Sequence, residues 1–286
     1  MTAQWSITTM HGLGNRLHLL QDDAFCAGSD EAVRACSEHR ADGLMVHGRS
    51  GDGVYSAVIW NADGTRAELC GNGLRCLARL GVEQGWLHGG GDALRSDVGT
   101  HQIRMEDDGR VTTSMPLPVH GADAVGLVDP AAAAISVSDP IASCQFGDEL
   151  LDMHLVATGN PHAIIFVPVE RHAELLPAIA GMLQQSKAFL RGVNVHAADV
   201  DDGVMRLSSW ERGVGSTPAC ASGATAAVSA AAGIGLVSSG ALVQMSGGEL
   251  EVRLQPEIVW NTGMAEHVEC WTLNMEQFDA DPSLRP

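Results

Sequence analysis

The stretch CGNGLRCLA at residues 70–78 and the stretch CASGATAA at residues 220–227 follow one pattern, and this repeat decides the fold. Each stretch starts with a cysteine, reaches a glycine three positions later, and continues with apolar residues at helical spacing. Strand-like segments at residues 54–60 and 204–210 precede them, and each is followed by a polar loop. A long-period repeat in the same order predicts two similar lobes, because a solenoid would need several copies.

We therefore predict an α+β protein with two pseudo-symmetric lobes, each a mostly antiparallel sheet wrapped around one central helix. A length of 286 residues is comfortable for two such units. An alanine-rich stretch at residues 124–138 places the boundary, which gives an N-terminal lobe at residues 1–125 and a C-terminal lobe at residues 126–267. The C-terminal tail, about residues 268–286, is a candidate for return to the first lobe.

The charge balance restricts the partners of the protein. There are 35 acidic against 17 basic side chains, a formal net charge of -18, so we expect no binding to nucleic acid or to anionic membranes. The uncharged stretch at residues 219–237 is rich in small residues and predicts a helix buried in the core, not a membrane span. The first residues lack the pattern of a signal peptide.

The cysteines indicate a reducing compartment. Seven cysteines are present, an odd number at irregular spacing, and no CxxC pair occurs among them. These features are typical of a cytoplasmic protein with free thiols and of a chain without a zinc motif. We interpret five of the cysteines as small buried apolar residues: Cys26, Cys36, Cys76, Cys144 and Cys270.

The two repeated cysteines suggest proton transfer at carbon. Cys70 and Cys220 both precede a predicted helix, where free N–H groups and the helix dipole stabilise negative charge. The same position lowers the pKa of a thiol, so we expect one thiolate base and one thiol acid on opposite faces of a substrate carbon. The only lysine, Lys187, lies in a polar stretch and is a poor site for pyridoxal phosphate. We expect neither a cofactor nor a metal.

The chain resembles the diaminopimelate epimerase family. The matching segments occur in the family's order and span nearly the whole chain. They are MHGLGN at 10–15, WNADG at 60–64, CGNGLRC at 70–76, GNPH at 159–162, VNV at 193–195, and ERGVG at 211–215 running on to CASG at 220–223.

The resemblance implies a site in the cleft between the lobes, with Cys70 and Cys220 as the catalytic pair. Glu211 would bind the distal ammonium of the substrate and Arg212 its distal carboxylate. His162 has two interpretations, either tuning of the thiol pKa values or a hydrogen-bonded structural role. The residues implied to bind substrate are Asn15, Asn61, Gly71, Asn72, Asn160, Asn194, Glu211, Arg212, Ala221 and Ser222.

The implied activity is that of an isomerase, the cofactor-independent epimerisation of LL-2,6-diaminopimelate to the meso isomer, in lysine and peptidoglycan precursor biosynthesis. The alternative is a racemase of the same fold acting on another amino acid. A non-catalytic binding protein would not need both cysteines, and a cysteine hydrolase would leave the second one unexplained. The expected partner is a small amino-acid substrate, and the sequence leaves a homodimer open.

Three departures from the family pattern concern the substrate. Arg16-Leu17 replaces Asp-Phe after Asn15, Gly43 replaces a glutamine that contacts substrate, and Ala221 replaces a glycine. Gly43 removes a polar side chain, and Ala221 adds a Cβ where backbone would meet a carboxylate. These changes leave open a shift in substrate preference.

Replacing either repeated cysteine tests the two-base hypothesis. We expect Cys70→Ala and Cys220→Ala each to abolish epimerisation, because one group must act on each face of the carbon. Chiral chromatography measures the stereoisomers, and circular dichroism checks that the variants fold. Near-wild-type epimerisation by either variant would rule out the mechanism, whereas exchange of the α-proton on one face would not.

Overall fold

The computed structural model describes residues 4–138 and 140–274. The elements of the first half are β1 (Gln4–Gly12), β2 (Asn15–Gln21), α1 (Ser29–Glu38), β3 (Gly43–Arg49), β4 (Tyr55–Asn61), β5 (Arg66–Ala67), α2 (Gly71–Glu83), β6 (Gly90–Ser96), β7 (Gly99–Met105), β8 (Val111–Met115) and β9 (Val119–His120). The second half contains β10 (Ile135–Ser138), β11 (Ile141–Phe146), β12 (Glu149–Thr158), β13 (Asn160–Phe166), α3 (His172–Gln185), β14 (Asn194–Asp201), β15 (Val204–Glu211), β16 (Gly215–Thr217), α4 (Ala221–Gly233), β17 (Gly240–Met245), β18 (Gly248–Gln255), β19 (Ile258–Gly263) and β20 (Glu266–Asn274).

The two halves repeat one topology. In the first half, β1 and β2 form a hairpin, α1 crosses over to the parallel strand β3, and β4 and β5 follow as antiparallel partners. Helix α2 then leads to β6, which is parallel to β4. In the second half, β12 and β13, α3, β14, β15, β16, α4 and β17 repeat these steps with the same parallel pairings. The other pairings are antiparallel, so the predicted α+β class with two similar halves is confirmed.

The two central helices lie in one hydrophobic core. Leu74, Leu77 and Ala78 from α2 are buried in the same cluster as Ala224 and Ala227 from α4. Both helices have 13 residues. Alanine, serine and glycine on α4 allow the sheet to approach this helix on every side, since these side chains occupy little volume. The uncharged stretch that predicted a buried helix therefore forms one, over Ala221–Gly233.

The halves are joined through the sheet. Strand β8 pairs with β19, β9 pairs with β12, and β20 pairs with β1 over Gln4–His11. The return of β20 involves residues 266–274, and residues 275–286 of the predicted tail lie outside the described residues. The boundary at residues 125 and 126 stays a prediction. None of the helices within residues 4–138 and 140–274 is both long and apolar enough to span a bilayer.

Gly43 marks a close approach between two strands. It begins β3 and pairs with Asn61 at the end of β4. A Cβ atom built on Gly43 would lie 2.6 Å from the backbone oxygen of Trp60, closer than real Cβ contacts allow. A side chain at this position therefore needs a shift of the two strands, and Gly43 permits their close approach in this chain.

The substitution Gly43→Ala should destabilise the protein by about 1–3 kcal/mol, because the added methyl forces the strands apart. Gly51→Ala is the matched control, since no atom of the described residues lies within 4 Å of its Cβ position; its effect should stay within about 0.5 kcal/mol. Urea unfolding measures both free energies. Equal effects in the two variants would contradict the steric argument.

Candidate active site

Cys70 and Cys220 occupy equivalent N-cap positions. Cys70 precedes α2 with φ -129° and ψ 100°, and Cys220 precedes α4 with φ -126° and ψ 104°. The backbone N–H of Gly73 donates to the Cys70 Sγ at 3.3 Å, and that of Gly223 donates to the Cys220 Sγ at 3.4 Å. A sulfur thus takes the place of the oxygen that usually caps a helix.

The two helix N-termini touch. A Cβ atom on Gly71 would lie 2.8 Å from the Cβ of Ala221, so only a glycine at one of these positions permits the contact. The free N–H groups of both helices lie at this junction, and both dipoles present their positive ends there. An anion such as a carboxylate is the ligand that this arrangement favours.

Crossed hydrogen bonds join the halves beside each cysteine. The side chain of Asn72 donates to the carbonyl of Ala219 at 3.0 Å, and that of Asn160 donates to the carbonyl of Leu69 at 3.1 Å. Each asparagine thus holds the residue immediately before the cysteine of the other half. These bonds tie the segment before each cysteine to the opposite half.

Every predicted catalytic and substrate-binding residue lines a single cavity between the halves: Asn15, Asn61, Cys70, Gly71, Asn72, Asn160, Asn194, Glu211, Arg212, Cys220, Ala221 and Ser222. The Oδ1 atom of Asn160 is buried without a hydrogen-bond partner in the described part of the chain, so it is an available acceptor. The Asn72 side chain is engaged by Ala219 and Arg75, which leaves its backbone N–H for a ligand. That these residues bind substrate stays a prediction.

The thiol pKa values differ from the expectation. Burial raises the pKa of Cys70 to about 11, although the N–H of Gly73 acts in the opposite direction. Burial, followed by the charge of Glu211, raises the pKa of Cys220 well above its usual range. The expectation that the helix position gives a low thiol pKa is therefore wrong here, because loss of hydration outweighs one N–H donor.

Glu211 is the acidic neighbour of Cys220. Its carboxylate accepts a hydrogen bond from the Thr217 hydroxyl at 2.6 Å and also contacts the Cys220 thiol. Burial raises the pKa of this carboxyl group. From the first half of the chain, Asp42 also lines the cavity and accepts hydrogen bonds from the Asn15 side chain at 3.0 Å and from the Arg16 backbone at 2.7 Å. The cavity therefore carries negative groups from both halves.

Arg212 has a partner that the sequence did not reveal. Its guanidinium forms an ion pair with Glu68, which also pairs with Arg191 at 3.2 Å. Glu68 lies two residues before Cys70 and lines the cavity. The closeness of Glu68 to Cys70 in sequence was the one signal for a role in the site. Its two arginine partners could not be predicted, because they belong to the other half of the chain. A ligand carboxylate at Arg212 would have to share this cation with Glu68.

His162 lies behind Cys220 and does not line the cavity. It is fully buried, and its Nδ1 lies 2.9 Å from the Nε2 of His196, whose Nδ1 lies 2.9 Å from the Ser209 hydroxyl. Burial lowers the pKa of His162 well below its usual range. His162 is therefore a neutral imidazole, and both interpretations of its role stay open.

The positions that depart from the family pattern differ in their location relative to the cavity. Arg16 does not line the cavity and forms an ion pair with Glu269. Gly43 and Ala221 both line the cavity. Gly43 therefore changes the wall of the site directly, while Arg16 acts on Asp42 from outside the cavity, through its backbone N–H and its charge.

The sequence relatives settle the family. The model for diaminopimelate epimerase matches residues 154–268. A diaminopimelate epimerase of Synechococcus sp. (strain JA-2-3B'a(2-13)) is 33% identical over 94% of this chain and 98% of its own length. One of Xanthomonas axonopodis pv. citri (strain 306) is 34% identical over 86% of this chain and 87% of its own.

The chain belongs to the diaminopimelate epimerase family. It is thereby an isomerase, as the resemblance implied. Solved structures share the fold at low identity. A hydroxyproline epimerase from Agrobacterium vitis has a TM-score of 0.68 and 16% identity, covering 98% of this chain and 94% of its own. A PhzF-family phenazine biosynthesis protein of Bacillus anthracis has a TM-score of 0.65 and 14% identity, covering 95% of this chain and 99% of its own.

A buried arginine, Arg75, acts on the Cys70 thiol in this epimerase-family site. Arg75 is completely buried in α2, and its guanidinium donates to the carbonyl of Gly71 at 3.4 Å and to the side chain of Asn72 at 2.5 Å. Burial lowers the pKa of Arg75 to about 10, and its positive charge lowers the pKa of Cys70. The charge of Arg75 therefore offsets part of the rise in the pKa of Cys70 that burial causes.

Arg75→Gln should raise the pKa of Cys70 while keeping an N–H donor for Asn72. At a fixed mildly alkaline pH the thiolate fraction then falls, so alkylation of Cys70 should slow severalfold. Mass spectrometry of iodoacetamide-treated protein across a pH series measures this rate. Arg79→Gln on the same helix, which removes an exposed ion pair with Glu83, is the control. Equal slowing in both variants would contradict a direct charge effect.

Proposed function

We propose that the protein interconverts LL- and meso-2,6-diaminopimelate without a cofactor, with Cys70 and Cys220 as the two proton-transfer groups. The observation that carries the proposal is the facing pair of helix N-termini, each capped by a cysteine in nearly the same conformation. A substrate α-carbon between the two sulfurs would have one acid and one base on opposite faces.

The helix junction supplies the electrostatic stabilisation. Removal of the α-proton moves negative charge onto the substrate α-carboxylate. N–H groups at the starts of α2 and α4, including those of Asn72 and Ser222, can donate to that carboxylate. These donors are fixed before the substrate binds, so little reorganisation accompanies the reaction. This arrangement replaces the electron sink that pyridoxal phosphate provides in other racemases.

The thiolate forms within a buried site. Glu211 contacts Cys220, and its carboxylate is an acceptor to which the thiol proton can pass. The substrate ammonium adds a positive charge to a cavity that contains Asp42, Glu68 and Glu211. A cation at this place lowers the pKa of nearby thiols, because opposite charge favours the ionised form. Substrate binding thus prepares the base that attacks it.

The distal end of diaminopimelate matches the remaining groups. Its ammonium can donate to the free Oδ1 of Asn160 and to Glu211, while its carboxylate can pair with Arg212. An amino acid without this distal zwitterion would leave Arg212 with Glu68 alone. This complementarity favours diaminopimelate over the alternative, a racemase of the same fold with another amino acid as substrate.

The proposed setting is the cytoplasm, in the supply of lysine and of peptidoglycan precursors. The protein would act on a free small molecule, without a cofactor or metal, and a homodimer stays open as its assembly. Incubation with LL-diaminopimelate and a panel of L-amino acids, followed by chiral analysis, tests the proposal. Epimerisation of another amino acid alone would favour the alternative, and loss of activity on chelation would exclude metal independence.

Arg212→Ala should raise KM for diaminopimelate or lower kcat/KM, because the distal carboxylate loses its cation. The loss should be roughly 2–5 kcal/mol in transition-state binding, as for one partner of a desolvated charge pair. Arg66→Ala, which removes an exposed ion pair with Asp97, is the matched control. Steady-state kinetics gives both values. Unchanged kinetics for Arg212→Ala would point to a different substrate.

A further inference from the structure

Two imidazoles and the Cys220 thiol form a cluster that the proposed reaction does not explain. One ring nitrogen of His162, one of His196 and the Sγ of Cys220 all lie within 4.8 Å of one another. The three residues are buried and come from three elements, β13, β14 and the start of α4. They are far apart in sequence, which is why no metal-binding motif was visible there.

The His162 imidazole is not fully satisfied within the cluster. The Nε2 atom of His162 is buried without a hydrogen-bond partner in the described part of the chain. A buried polar atom in this condition is unfavourable, so the His162 side chain is not held by a complete set of hydrogen bonds.

The first half of the molecule provides an internal comparison. The parallel pairing of β2 with β3 starts at Leu17 and Gly43, and that of β13 with β14 starts at His162 and Asn194. Leu17 therefore matches His162. Two residues further along the second strand of each pair, Met45 matches His196. Gly73, three residues after Cys70, packs against Met45 and Leu17. Gly223, three residues after Cys220, packs against His196. The fold therefore accepts apolar side chains at these two places. The imidazoles are an addition specific to the Cys220 side.

We propose that His162, His196 and Cys220 bind one thiophilic divalent cation, zinc being the best fit, and that its binding blocks Cys220. Two imidazoles and one thiolate are the donor set that zinc prefers, and calcium or magnesium would require oxygen ligands. Glu211 contacts the same thiol and can occupy the fourth position. On binding, the Cys220 S–H bond breaks, a zinc–sulfur bond forms, and the proton passes to solvent.

The three side chains must move to reach tetrahedral spacing around a metal. Zinc–nitrogen bonds of about 2.0 Å and a zinc–sulfur bond of about 2.3 Å separate tetrahedral ligands by about 3.3–3.6 Å. The nearest nitrogens of His162 and His196 lie 2.9 Å apart, so the rings must separate by less than about 1 Å. The Ser209 hydroxyl holds the other nitrogen of His196, as an outer partner orients a ligand. Cys220 and Glu211 line the cavity and provide the entry side.

Metal titration of the reduced, chelator-treated full chain tests the proposal. Calorimetry with zinc should give one tight site per chain, and cadmium should produce a thiolate-to-metal charge-transfer band. His196→Met, which copies the residue of the first half, should weaken binding more than about 100-fold, beyond the usual effect of losing an outer partner. Ser209→Ala should weaken it roughly 10-fold. Cys220→Ser should abolish the cadmium band.

His101→Gln is the matched control, because His101 is also buried and hydrogen-bonded but lies apart from the cluster. It should bind zinc as the wild type does. If His196→Met folds poorly, His196→Gln gives the same comparison. Absence of stoichiometric binding, or binding unaffected by the His196 and Cys220 variants, would overturn the proposal.

The inhibitory part of this inference rests on the proposed function. Zinc should inhibit epimerisation by the wild type, chelator should reverse the inhibition, and His196→Met should resist it relative to its own rate without metal. Metal binding without any epimerase activity would overturn the proposed function but would still support the metal site. Epimerisation that stoichiometric bound zinc does not inhibit would overturn the claim that metal blocks Cys220.

Discussion

The contact between two helix N-termini is the constraint on which the site depends. Two positive helix ends repel each other, and burying them together is unfavourable unless a negative group lies nearby. The contact of Gly71 with Ala221 fixes how close they come. A substrate carboxylate, and still more the charge that develops on it in the transition state, relieves this repulsion. The same arrangement that costs stability in the fold therefore favours the proposed reaction.

Several features of the two halves serve to maintain that contact. Asn72 and Asn160 cross the cleft to carbonyl groups beside the opposite cysteine, and the β8–β19 and β20–β1 pairings close the sheet around both helices. Hydrogen bonds between buried groups have strict geometry, so small displacements are costly. The cysteines are thus placed by the backbone and by neighbouring amides, which suits the proposed reaction, in which two thiols act across one carbon atom.

The sequence predicted the cysteine pair, the helix starts and the residues that line the cavity, because these follow from local patterns and family motifs. It could not predict Glu68 as the partner of Arg212, or His196 behind Cys220, since both contacts join residues that are distant along the chain. The thiol pKa values were predicted wrongly for a similar reason. A capping position is visible in sequence, but the degree of burial depends on the complete fold. The reason for a glycine at position 43 could not be predicted either, because only the structure shows that the spacing of the two strands leaves no space for a side chain there.

The approximate symmetry of the fold does not extend to the electrostatics of the two thiols. Cys70 is partly exposed and lies near the buried charge of Arg75, whereas Cys220 is buried beside Glu211. In the position that matches Arg75, the second half has Thr225, whose hydroxyl donates to a carbonyl in its own helix. Burial raises both thiol pKa values and the charge of Glu211 raises both further, while the charge of Arg75 lowers that of Cys70. Because the proposed reaction runs in both directions, each cysteine must serve as the base in one of them, so this asymmetry does not make either thiol the permanent base.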